Sequence, residues 1–84
     1  MKKLLHFSAP SWCVPCQKTQ PIVDSFISNN QDIEYKYVDV DKDPQLSSEY
    51  QVLGVPTFIF YRDGKQVNRH IGVITENQLN SFFN

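Results

Sequence analysis

Ser11-Trp12-Cys13-Val14-Pro15-Cys16-Gln17-Lys18 holds both cysteines of the chain, separated by two residues. A short apolar run (Leu4, Leu5, Phe7) leads into this stretch, and a helical pattern (Ile22, Val23, Phe26, Ile27) leads out of it. A Cys-x-x-Cys pair at a strand-to-helix junction is a place to make and break a disulfide. If the helix starts near Cys13, its free N–H groups and the positive end of its macrodipole face the Cys13 sulfur and favour thiolate. A free thiol of pKa ~8.5 is only about 3% thiolate at neutral pH, and a drop of roughly 1.5 units would make it about half thiolate. The net gain in attack is about threefold, because nucleophilicity falls along with pKa. Cys16, one turn inside, is expected to be more buried than an exposed Cys13, which suits a resolving thiol. Pro15 falls in the first helical turn, where its missing N–H is tolerated and its fixed φ stiffens the loop between the sulfurs.

Outward from this junction the chain divides cleanly. Lys3–Phe7 predicts a buried strand, Ser8–Trp12 a loop, and Cys13 to about Asn29 a helix that Pro21 should kink. Ile33–Val40, rich in β-branched and aromatic residues, predicts a second strand. Asp43-Pro44 has the form of an N-cap followed by proline, opening a helix to about Gln51 that Leu53-Gly54 closes with a left-handed glycine. Thr57–Tyr61 and Lys65–Ile71 are two strands joined by the hairpin signal Asp63-Gly64. Gly72 ends the run, and Thr75-Glu76-Asn77-Gln78 is a capping box before a last helix carrying Leu79, Phe82 and Phe83. The order is βαβαββα.

Eighty-four residues, 40% of them hydrophobic, suffice for one core, so residues 1–84 are read as a single domain. Eight Lys and Arg against nine Asp and Glu give a net charge of −1, without the basic stripe that a nucleic-acid surface requires. Met1-Lys2-Lys3 resembles the start of a signal peptide, but no long apolar segment follows and no run suits a membrane span, so the expected location is cytoplasmic. Two cysteines cannot staple a secreted scaffold; in the cytosol such a pair is redox-active or binds metal. A zinc site would need two more ligands, and His6 and His70, the only histidines, lack metal-ligand spacing, so no metal is expected. Trp12 is either core or a substrate-facing platform beside a reactive cysteine. His6 is either a satisfied core histidine or a base near Cys16, in which case a pKa near neutrality would suit it. His70, Lys18 and the acidic stretch Asp39–Asp43 read as solvated surface.

With these elements in order, the chain resembles the thioredoxin family over nearly its whole length. Trp12-Cys13-Val14-Pro15-Cys16 matches the family's active-site motif, Pro21 its helix proline, and Gly54-Val55-Pro56-Thr57 its cis-proline motif. Asp63-Gly64 and Gly72 match its hairpin and later glycine. The resemblance implies an α/β thioredoxin-like fold, a four-stranded mixed sheet with three helices, near glutaredoxin in size. It implies a thiol–disulfide oxidoreductase in which Cys13 attacks a protein disulfide and Cys16 resolves the mixed disulfide, without cofactor. Trp12, Val55, Pro56, Gly72 and Val73 would contact substrate, while Val14, Pro15 and His6 would tune the site. Disulfide-bearing client proteins and a thioredoxin reductase are the implied partners of a monomer that engages neither nucleic acid nor membrane. Reduction by glutathione is the alternative, and a non-catalytic binding subunit is another. Several features depart from the family pattern. Its opening strand and helix have no counterpart, and Val14 stands where glycine is usual. The family's buried aspartate is replaced by His6 or Phe7, depending on where the extra residue of Ser8–Ser11 is placed, and its lysine partner by Tyr37.

Overall fold

The first strand, β1 (Lys2–Ser8), lies inside the sheet and is buried from Leu4 onward, because both of its faces are covered. The structure, a computed structural model, describes residues 1–84. Six further elements follow: α1 (Val14–Ser28), β2 (Glu34–Asp39), α2 (Pro44–Glu49), β3 (Thr57–Arg62), β4 (Lys65–Ile71) and α3 (Glu76–Ser81). The strand order is β2-β1-β3-β4, with β2 parallel to β1 and the other two pairs antiparallel. The expected βαβαββα order and four-stranded mixed sheet are therefore present.

Alternation along β1 divides the core between the two faces of the sheet. Leu4 packs with Val23 and Phe26 of α1, Phe58 and Phe60 of β3, and Leu79 and Phe83 at the C-terminal end. Leu5 and Phe7 point the other way, joining Val38 and Ile59 beneath Leu46, Tyr50 and Val52. Helix α1 buries Cys16, Thr19, Val23 and Phe26, a 3-4-3 spacing that makes one stripe. It runs on past Pro21 to Ser28.

Most of the expected stops and starts occur where the residues demand them. Asp43 caps α2 by accepting the Leu46 N–H at 3.2 Å. Asp63 and Gly64 both take positive φ, 52° and 83°, as a tight hairpin turn needs. Thr75 and Gln78 form the reciprocal capping box of α3. One stop differs: the left-handed residue after α2 is Gln51 (φ 55°), not Gly54. The Gln51 N–H bonds to the Ser48 carbonyl and the Val52 N–H to the Ser47 carbonyl, the two bonds of a Schellman motif. The helix has thus closed before the chain reaches Gly54.

Candidate active site

Strand β1 ends at Ser8, and the Ala9 carbonyl then takes the N–H groups of both Trp12 and Cys13, turning the chain into α1. Cys13 is the N-cap in extended conformation, and its sulfur accepts the Cys16 N–H at 3.1 Å. A sulfur here occupies the place of the oxygen that ordinarily caps a helix. The two sulfurs are joined as a disulfide with a Cα–Cα separation of 5.2 Å. The expected contrast in exposure is not seen: Cys13 is 4% exposed and Cys16 1%. The loop carrying Val55 and the side chain of Val40 close over the disulfide from one side.

Across from the sulfurs the Val55–Pro56 peptide is cis. The Val55 carbonyl oxygen lies 3.7 Å from Cys13 Sγ. That sulfur has no proton while it is bonded to Cys16, so the contact becomes a hydrogen bond only in the dithiol. Thr57 Oγ1 donates to the Gly54 carbonyl at 2.6 Å, and the Gly72 N–H donates to the Pro56 carbonyl at 2.8 Å. The second bond brings Gly72 and Val73 to the same rim; Gly72 takes φ 102°, and the Val73 side chain is exposed. Val14 and Trp12 are exposed on the near side. The Trp12 ring borders a groove of about 410 Å³ with Val40, Ser47, Val52, Leu53, Gly54 and Val55.

Of the residues read as solvated surface, Asp41 is exposed as expected but holds a partner, and His70 needs correction. Asp41 accepts the Trp12 indole N–H at 2.8 Å and so fixes the ring. No local signal announces this, because the partners lie 29 residues apart. His70 is half-buried, and its Nε2 pairs with the Val73 carbonyl at 2.9 Å.

The structure also settles which residue lies beneath the active-site helix. His6 is fully buried on the α1 side, stacked on Phe58 at 4.4 Å, while Phe7 faces Tyr50 on the opposite side. Tyr37 meets the His6 ring edge-on at 5.3 Å. His6 Nδ1 pairs with the Tyr35 hydroxyl at 2.9 Å, whereas its Nε2 and the Ser8 hydroxyl, two residues on along the same face, have no protein partner. Burial lowers the His6 pKa to about 4, against a smaller upward pull from Asp24. Burial likewise raises Tyr35 to about 12. The near-neutral histidine expected of a base is therefore not present, because desolvation disfavours the imidazolium.

The comparisons agree with this geometry. The Thioredoxin family model matches residues 1–84. A thioredoxin of Mycoplasmoides gallisepticum is 37% identical over 78 residues, covering 93% of this chain and 78% of its own. Among solved structures, the thioredoxin of Fasciola hepatica superposes with a TM-score of 0.86 at 33% identity, over 98% of this chain and 77% of that one. The oxidised form of mitochondrial thioredoxin 3 from Saccharomyces cerevisiae gives 0.82 at 32% identity, over 94% and 73%. A cysteine pair at the mouth of α1, facing a cis proline, on a chain matched throughout by that family model, makes this chain a member of the thioredoxin family and a thiol–disulfide oxidoreductase.

Proposed function

We propose that the chain works as a reductant of protein disulfides, with Cys13 as nucleophile and Cys16 as resolving thiol. The observation that carries this assignment is the Cys13 sulfur at the N-cap of α1, accepting the Cys16 N–H at 3.1 Å. Negative charge on that sulfur is stabilised by the N–H and by the helix N-terminus, whereas Cys16 lies inside the first turn. In the forward step the Cys13 thiolate attacks one sulfur of a client disulfide; that bond breaks and the second client sulfur leaves as thiolate, taking a proton. The Cys16 thiolate then attacks Cys13 Sγ, displacing the first client sulfur. Two electrons pass to the client, and Cys13–Cys16 is left oxidised.

Trp12, Val55, Pro56, Gly72 and Val73 form the client surface in this reading, with Val14 and Pro15 shaping the turn between the sulfurs. Extended client backbone can pair with the edge at Val55 as an added strand. Exposed apolar side chains gather at this rim (Trp12, Val14, Leu53, Ile71 and Val73), which fits brief capture of clients by a monomer. Family members act on disulfide substrates and are regenerated by a thioredoxin reductase, and we extend that donor to this chain. A reducing compartment, the cytoplasm, suits a dithiol that must be kept reduced. One sheet with a core on each face supports reading residues 1–84 as one domain.

Trapping tests the assignment. Cys16→Ser should accumulate mixed disulfides with a disulfide-bearing protein such as insulin, and Cys13→Ser should accumulate none. Wild-type protein with a thioredoxin reductase should reduce insulin catalytically. Equal trapping by the two variants would remove the assigned roles.

A further inference from the structure

Between α2 and β3 the chain crosses from one face of the sheet to the active-site rim. Within this crossing Leu53, Gly54 and Val55 make no backbone–backbone hydrogen bond. Their position depends on what holds the two ends of the segment. The downstream end is held by the Thr57–Gly54 and Gly72–Pro56 bonds. The upstream end is Gln51, a non-glycine residue in the left-handed region, where a side chain is strained.

Arg69 meets that end. It lies on β4 opposite Ile59, which puts its side chain on the α2 side of the sheet. One guanidinium nitrogen donates to the Tyr50 carbonyl at 2.8 Å and the other to the Gln51 carbonyl at 2.7 Å. The Schellman bonds occupy the Ser47 and Ser48 carbonyls, so Arg69 takes two carbonyls that the motif leaves open. Both bonds are charge-assisted, and the cation sits at the negative end of α2. The planar fork fixes the direction of two successive peptide units, including the one that leaves the strained residue.

We propose that Arg69 is a positioning residue for protein substrates: by clamping the end of α2 it fixes where Leu53–Val55 departs, and so where the Val55 edge stands relative to Cys13. The inference rests on the function proposed above. A small disulfide needs only the Cys13 sulfur, whereas an extended polypeptide must also align on Val55. The role of Arg69 is therefore one of discrimination between substrates.

The test compares oxidation of the reduced protein by a disulfide-bonded peptide and by a small aromatic disulfide, followed by stopped-flow fluorescence. Arg69→Met should raise the half-saturating peptide concentration about tenfold, as expected for loss of charge-assisted bonds. Its maximal rate and its reaction with the small disulfide should stay within about twofold of wild type. Amide exchange at Gln51 and Val52, whose N–H groups make the Schellman bonds, should accelerate about tenfold while β1 is unaffected. Arg69→Lys, which keeps the charge but lacks the planar fork, should recover only part of the loss. If Arg69→Met does not fold, Arg69→Gln, which keeps one neutral donor, should show an intermediate loss of about threefold. An unchanged half-saturating concentration, or a parallel fall in both reactions, would overturn the role. If the wild-type protein reduces neither substrate, the functional reading fails first and the role of Arg69 falls with it.

Discussion

His6 shows how burial reassigns a side chain. Folding lowers its pKa from 6.5 to about 4, so between those values the unfolded chain binds a proton that the native state lacks. Stability must then rise with pH across this window; on acidification it is lost from about pH 6.5 and levels off near pH 4. The shift corresponds to about 3 kcal/mol. Denaturant unfolding at pH 7 and pH 4.5 should reveal this slope in the wild type, and His6→Phe should lack it. Because a ring of pKa about 4 is too weak a base to take a thiol proton efficiently, His6→Phe should also leave the rate of the Cys16 resolving step within about twofold between pH 6 and 8. A tenfold fall in that rate would restore His6 as the base. Trp12, the only tryptophan, gives a second test at this scale. Asp41→Ala frees the indole and should raise its fluorescence anisotropy decay rate. It should weaken peptide capture a few-fold and cost about 1 kcal/mol of stability or less, since the lost bond is exposed.

Among the elements, the short helices depend most on their ends. α3 has only six residues, and its capping box satisfies N–H groups that would otherwise face water. Thr75→Ala should cost about 1 kcal/mol in a urea titration, with an unchanged slope. Gly72→Ala should cost a similar amount for a different reason. An added Cβ meets nothing within 4 Å, so the penalty lies wholly in the backbone at φ 102°. Signals of this kind are local, which is why the strand–loop–helix around Cys13, the Asp63-Gly64 turn and the capping box could be read in the sequence. The closing of α2 could not. Glycine marks a left-handed residue only where one is available, and here Gln51 takes the conformation three residues before Gly54. The Asp41–Trp12 and Arg69–Gln51 bonds join positions 29 and 18 apart, beyond any sequence window. The face of His6 was open for another reason. It turns on where the extra residue of Ser8–Ser11 is placed when the chain is matched to the family, and one step of register exchanges the two faces.

For the whole molecule, the two half-cores set how much damage is tolerated. A chain of 84 residues should be stable by about 4–13 kcal/mol. Phe60 is fully buried and meets Phe82 and Phe83 edge-on at 5.5 and 5.0 Å. Phe60→Ala should cost about 3–5 kcal/mol, enough to consume most of the lower end of that range. A cooperative thermal transition should therefore shift strongly downward or disappear in circular dichroism. The direction of β1 has a practical side. The Met1 amine pairs with Asp63 at the hairpin, and Lys2 lies over the Phe83 ring near the other chain end, at 5.6 Å. From Met1 to Ser8 the strand covers about 23 Å, so both ends lie far from the sulfurs. Coupled to a resin through either end, the Cys16→Ser protein would hold its reactive face toward the solution, and clients from an extract could be fished out, eluted with dithiothreitol and identified by mass.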